Sequence, residues 1–188
     1  EAEKLIEPMD LKIRERLGDA VYGIDEMKLE DVVVSLLREH RQTLSVGESC
    51  SGGLLSHRIT NIPGASNVFL GGVVAYSNEL KMRELGVPES VLIEHGAVCP
   101  EVATLMAQGV AKLTGSNWGI GITGIAGPTG GTETKPVGLV YIAIANGASS
   151  FVEENKFIGQ RETVKERSAH RALELLHKGI LRGGCESL

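Results

Sequence analysis

Short apolar runs alternate with amphipathic helical stretches along most of this chain, and that alternation leaves few folds open. Residues 43–46, 68–76, 117–123, 137–145 and 150–157 read as strands, the second weakened at Gly71-Gly72 where a bulge is expected. Helices are predicted over 9–18, over 29–40 and from the turn GESCSGG to about residue 60. Further helices are predicted over 78–85, capped by Ser77 and closed by Gly86, and from Pro88 to near Gly96. Another starts at Pro100 with Val102, Met106, Gly109, Val110 and Leu113 on its buried side. The last spans 160–181, with Val164, Ser168, Ala172, Leu176 and Ile180 along one face. The final two strands form a hairpin turning at Asn146-Gly147. Strands interleaved with helices, plus one hairpin, predict an α/β fold: a mostly parallel sheet with an antiparallel member and helices on both faces.

Charge is spread unevenly over this pattern. Residues 49–150 hold 11 of the 43 charged side chains but 17 of the 24 glycines, so backbone there must approach something closely, either itself or a ligand. A net charge of −5 argues against a nucleic-acid groove, which needs a basic stripe. Cys50, Cys99 and Cys185 lack CxxC spacing and read as reduced thiols of a cytoplasmic protein. The five histidines show no ligand spacing, so no metal is expected. No apolar run reaches the length of a membrane span. A length of 188 residues suits one domain with an appended segment, and a start at Glu1 rather than Met leaves room for an upstream domain. Whether the chain forms a homodimer stays open.

The reactive residues concentrate between Gly47 and Lys81. Ser49 falls on a strand-to-helix turn, at the carboxyl edge of the sheet where α/β proteins bind ligands. The same residue type also caps helices, and the stretch misses the G-x-S-x-G elbow because Ser51 stands at the last glycine. The N–H groups of the following helix, near Ser49 to Gly53, are expected to hold an oxyanion, with Gly52 and Gly53 clearing space. Cys50 is a rival nucleophile, ranked below Ser49 because His57 lies on the same helix in poor geometry for a pair. Lys81, in the first turn of its helix, is expected to lean back toward Tyr76, its pKa lowered by the positive helix end. An ordinary strand-edge tyrosine and a solvated lysine are the plainer alternative. The stretch GITGIAGPTGGTETKP looks like an anion nest, with Thr123, Thr129 and Thr132 as hydroxyl donors and Lys135 as a charge, against a plain surface loop. Gly119, Gly121 and Gly124 satisfy G-x-G-x-x-G, but no helix opens there, so the match reads as false.

Four blocks then point to a family: VGESCSGGLLSHRIT, NIPGASNVFLGGVVAYSNELKMRELGV, EHGAVCPEVATLMAQGVAKLTG and GIGITGIAGPTGGTETKPVGLVYIAIA. Together they resemble the CinA C-terminal domain, the nicotinamide-nucleotide amidohydrolase family, over roughly residues 28–182. The stretch RERLGDAVYGIDEMKLEDVV is similar to the connector of two-domain CinA proteins. The resemblance implies a connector over 1–27 and an amidohydrolase domain over 28–188. It implies a three-layer α/β/α fold with a mixed, mostly parallel sheet of the anticodon-binding type. The implied activity is deamidation of nicotinamide mononucleotide to nicotinate mononucleotide and ammonia, with no cofactor. Ser49, Tyr76 and Lys81 take the catalytic positions. Cys50, Gly52, Gly53 and Asn78, with Thr123, Gly124, Ala126, Gly127, Gly130 and Gly131 of the loop, are the expected substrate contacts. The family usually has Ala and Thr where this chain has Gly47 and Ser51, changes expected to touch the pocket, and Ser where it has Cys99. A catalytically idle nucleotide-binding or regulatory module using the same loop is the competing expectation. An RNA-binding module is disfavoured by the acidic balance.

Overall fold

The computed structural model describes residues 2–188. Five strands, β1 (Leu44–Glu48), β2 (Phe69–Val74), β3 (Trp118–Gly124), β4 (Leu139–Asn146) and β5 (Ser149–Lys156), make one sheet in the order β2-β1-β3-β4-β5. β1 runs parallel to β2 and β3, whereas β4 is antiparallel to both its neighbours. Four strands therefore point one way and β4 the other, as the expected single reversed member requires. The helices are α1 (Ala2–Leu17), α2 (Leu29–Glu39), α3 (Leu54–Thr60), α4 (Asn78–Leu85), α5 (Glu89–His95), α6 (Pro100–Thr114) and α7 (Arg161–Arg182). α2, α3 and α7 cover one face of the sheet, and α4, α5 and α6 cover the other. The result is a three-layer α/β/α fold with a mixed sheet.

The sequence of β3, WGIGITG, shows why the two faces differ. Side chains alternate across a strand, so Trp118, Ile120 and Ile122 enter the large apolar core with α2 and α7. Gly119 and Gly121 face α6 instead. A Cβ on Gly119 would lie 2.0 Å from the Ala107 carbonyl oxygen, and one on Gly121 would lie 2.1 Å from that of Ala103. The apparent dinucleotide motif is thus a packing device that lets α6 lie almost on the strand backbone. β4 repeats the pattern, with Ile142 and Ile144 on one side and Ala143 and Ala145 on the α6 side.

Most predicted boundaries hold. The Ser77 hydroxyl accepts from the Leu80 N–H at 3.2 Å, Gly86 closes α4 with φ 66°, and Pro100 opens α6. Cys99 caps α6 through sulfur, accepting from the Val102 N–H at 3.5 Å. Four details differ. α1 begins well before residue 9. The extra residue in β2 is Leu70, because Leu44 pairs with Phe69 and Ser45 with Gly71. The hairpin strands run through Asn146 to Ser149, so the turn is Gly147-Ala148. Leu113 is 53% exposed rather than buried. α6 has by then run past the sheet, since Gly119 already meets Ala107 and Ala111 and only Trp118 precedes it in β3.

Because backbone atoms of α6 cannot yield as a flexible side chain could, Gly121→Val should cost about 3 kcal/mol or more. Urea denaturation of the variant measures this, and wild-type stability would refute the close approach.

Candidate active site

β1 and β3 end side by side, and the candidate site is built on that parallel pair. Glu48 pairs with Ile122, and the Ser49 N–H donates to the Ile122 carbonyl at 2.9 Å, so Ser49 and Thr123 leave the sheet as neighbours on the α6 side. The chain then reverses through Gly52 and Gly53, whose φ values of 63° and 91° lie in the left-handed region where a Cβ is penalised. α4 brings in Asn78 and Lys81, the segment before α6 brings Ala97 and Val98, and the first residue of α7, Arg161, reaches in from the other side of the sheet. With Ser49, Cys50, Tyr76, Gly124 and Ala126, these residues line a cleft of about 190 Å³.

Lys81 is the least ordinary of these residues. It is 2% exposed, and its Nζ donates to the Ala75 carbonyl at 2.9 Å. Burial pulls its pKa below the usual lysine range. The side chain leans back to the strand end beside Tyr76 and finishes on a main-chain acceptor, and the shift comes from desolvation rather than from the positive helix end. Tyr76 lies two residues beyond β2, is 59% exposed, and accepts a hydrogen bond from Arg161 Nη2 at 2.6 Å. Arg161 Nη1 donates to the Gly127 carbonyl at 2.9 Å, so one guanidinium ties Tyr76 to the glycine-rich loop. Cys50 is buried, and loss of solvation pushes its thiol up to about 12, so it stays protonated.

Part of the expected set of oxyanion donors is already taken. The fully buried Glu48 carboxylate accepts from the N–H groups of Gly53 at 3.1 Å, Leu55 at 3.0 Å and Ser56 at 2.8 Å, and from the Ser56 hydroxyl at 2.7 Å. The Leu54 N–H goes to the Ser51 carbonyl at 3.4 Å and that of Gly52 to the Ser49 carbonyl at 3.1 Å. Among the described residues, the N–H groups of Cys50 and Ser51 have no carbonyl or carboxylate acceptor; both face the Cys50 sulfur, which as a protonated thiol is a weak one.

Of the predicted substrate contacts, Cys50, Asn78, Thr123, Gly124 and Ala126 line the cleft, whereas Gly52, Gly53, Gly127, Gly130 and Gly131 do not. The loop after Ala126 turns away: a Cβ on Gly131 would meet the Val137 nitrogen at 2.8 Å, and the Thr132 N–H bonds the Lys135 carbonyl at 2.8 Å. Lys135 donates to the His95 carbonyl at the end of α5. The Thr123 hydroxyl donates to the Ala97 carbonyl at 2.7 Å, fastening the 96–99 segment over the strand ends. Gly47 faces Leu85 and Met106 rather than the cleft, and the Ser51 hydroxyl is buried without a partner among the described residues. Arg161, Ala97 and Val98 escaped the sequence reading. The signal for Arg161 was its place at the start of a helix, but nothing local ties it to a strand 85 residues away. No His, Cys, Asp and Glu cluster fit to hold a metal occurs among the described residues.

A three-layer domain with this sheet order and cleft belongs with a known superfamily of solved structures. CihA from Agrobacterium tumefaciens superposes with a TM-score of 0.77 at 34% identity, covering 79% of this chain and 91% of that one. A CinA superfamily protein from Klebsiella pneumoniae gives 0.79 at 27% identity, covering 83% and 99%. The CinA C-terminal domain model matches residues 26–180, and the chain belongs to that family. A Moorella thermoacetica relative carrying the competence-damage inducible designation is 52% identical over 185 residues, 98% of this chain and 44% of that protein. A CinA-like protein of Dictyoglomus turgidum is 48% identical over 96% of this chain, again 44% of its own length. The chain thus spans less than half the length of these curated relatives. Among the described residues no helix is long and apolar enough to cross a membrane.

The buried lysine has a stability consequence. A folded-state pKa below the unfolded one means that the unfolded chain binds more protons between the two, so stability rises with pH in that window. Measured against Lys81→Met, which cannot titrate, the wild type should gain stability as pH climbs through the depressed Lys81 pKa toward the ordinary lysine value. Parallel pH dependences in the two proteins would remove the claim that Lys81 is shifted.

Proposed function

We propose that this domain hydrolyses the carboxamide of nicotinamide mononucleotide, giving nicotinate mononucleotide and ammonia. The observation that carries the reading is the meeting of Ser49, Tyr76 and Lys81 in one cleft, since these are the positions matching the family's catalytic residues. In this scheme neutral Lys81 accepts the Ser49 proton, directly or through Tyr76. Burial favours the neutral amine, and the hydrogen bond to Ala75 uses one N–H and leaves the nitrogen lone pair free. Ser49 Oγ adds to the amide carbon, the carbonyl electrons move to oxygen, and collapse of the adduct breaks the C–N bond. The leaving nitrogen takes back the proton and departs as ammonia. Water then cleaves the nicotinoyl ester and regenerates Ser49. Arg161 donates to the Tyr76 oxygen, so the phenolic O–H stays available to donate to the leaving group.

In this reading Arg161 holds the substrate phosphate, at the end of the cleft toward the glycine-rich loop to which it is bonded. Of the two basic side chains lining the cleft it is the exposed one, and its guanidinium can form two parallel bonds to phosphate oxygens. In the same reading residues 1–27 form a connector: α1 exposes Ile6, Met9 and Ile13 and packs chiefly against the turn that follows it. The free thiols of Cys50, Cys99 and Cys185 suit the cytoplasmic setting that this activity implies.

The deciding measurement is ammonia release from nicotinamide mononucleotide. Ser49→Ala should abolish release while still binding the nucleotide; full turnover in that variant would end the scheme, and binding without turnover in the wild type would favour the idle nucleotide-binding module. Arg161→Ala should raise KM for the mononucleotide about 10- to 100-fold, the worth of a lost charged hydrogen bond. The same change should affect nicotinamide riboside, which lacks the phosphate, much less. Equal losses for both compounds would take the phosphate away from Arg161.

A further inference from the structure

Glu48 is the one fully buried carboxylate next to the candidate nucleophile, and the cleft does not include it. Its two oxygens accept four hydrogen bonds, three from main-chain N–H groups at the start of α3 and one from Ser56. A carboxylate so occupied and outside the cleft lining is committed to the turn rather than presented to a substrate. Its partners define that role. Gly53, Leu55 and Ser56 follow Ser49 by four to seven residues, so the carboxylate of one residue clamps the far end of the turn that the next residue begins.

We propose that Glu48 is the positioning residue of the nucleophile turn, and that by taking the N–H groups of α3 it leaves those of Cys50 and Ser51 as the oxyanion donors. The clamp fixes both ends of the turn. At one end the Ser49 N–H is bonded to Ile122 in β3, and at the other Glu48 holds α3. Between them, Gly52 and Gly53 have the backbone freedom to rotate the turn out of register if either end lets go. The carboxylate's negative charge also absorbs the positive end of α3, so the short helix contributes nothing to an oxyanion directly. Two main-chain donors next in sequence after the nucleophile then remain for the charge that develops on the carbonyl oxygen.

The inference rests on Ser49 being a nucleophile, and its test does not require the substrate to be known. A fluorophosphonate reacts with an activated serine: the Oγ–P bond forms, the P–F bond breaks, fluoride leaves, and the serine proton passes to the base. Its rate reads the same donors that hold an oxyanion. Glu48→Gln keeps the size of the side chain but turns an NH2 group toward main-chain N–H groups that need an acceptor. Labelling of Ser49, located by peptide mass, should slow at least tenfold in Glu48→Gln. With nicotinamide mononucleotide as substrate, kcat should fall by a similar factor while KM stays within about threefold, because binding and turn geometry are separate.

Ser56→Ala, which removes one of the four bonds and keeps the carboxylate, should slow labelling about threefold with circular dichroism unchanged. This variant carries the decision if Glu48→Gln does not fold. Wild-type labelling rates in the folded variants would overturn the proposal, as would a wild-type protein in which Ser49 is not labelled. A wild type that is labelled at Ser49 but releases no ammonia from the mononucleotide would refute the substrate reading and leave the role of Glu48 standing.

Discussion

The close approach of α6 to the sheet governs the rest of the molecule. With Gly119 and Gly121 on β3 and Ala143 and Ala145 on β4, that face offers backbone rather than side chains, and α6 meets it through its own alanines. Little apolar area is gained per residue, but dispersion contacts between backbone and small side chains are dense. The opposite face does the reverse, with Trp118, Ile120, Ile122, Ile142 and Ile144 reaching toward α2 and α7. This asymmetry sets the height of α6 above the sheet and hence the depth of the cleft at its start. The segment before α6 lies low enough for the Ala97 carbonyl to accept from Thr123 at 2.7 Å, which forms one wall of the site.

Two cations serve that cleft under opposite conditions. Lys81 has been stripped of water and given a single carbonyl partner, so the balance between its charged and neutral forms has been moved toward neutral. Arg161 stays exposed, its guanidinium bonded to the Tyr76 oxygen and the Gly127 carbonyl. On the proposed reading, one site combines an amine able to take up a proton with a guanidinium able to hold an anion. Exchanging the two side chains would lose both properties, because a buried arginine cannot give up its proton and a solvated lysine would not.

How much of this was legible in the sequence depends on the range over which each feature is decided. Ser77, Gly86 and Pro100 announce helix ends because caps are settled within one turn of chain. The three-layer architecture followed from the order of strands and helices, and Ser49 could be placed because a strand-to-helix turn is local. Features set by distant chain were missed. Leu113 keeps the helical period of a buried residue, but periodicity says nothing about where the sheet beneath it ends. The glycines of β3 could be set aside as a ligand motif because no helix opens after them, but what they serve stayed hidden: a missing Cβ looks the same whatever comes close, and only the partner, Ala103 or Ala107, identifies the helix. In the glycine-rich loop the Thr132 N–H meets the Lys135 carbonyl, and of the expected contacts in this stretch Thr123, Gly124 and Ala126 line the cleft.

The start of α3 shows how satisfying buried groups can direct a site's chemistry. Gly53 stands at the N-cap position and has no side chain to accept from the helix, so the donors of its first turn need an acceptor from elsewhere. Leaving them unpaired in the core would cost more than a single hydrogen bond is worth. Glu48 meets that need from the end of β1. α3 is in turn held to α2, where Arg58 pairs with Glu30 at 2.7 Å, so the clamp rests on a braced helix. A helix start beside a serine suggests, from sequence, that the helix serves the serine. Here the helix is first served by a carboxylate, and the serine is left with the donors nearest to it in the chain.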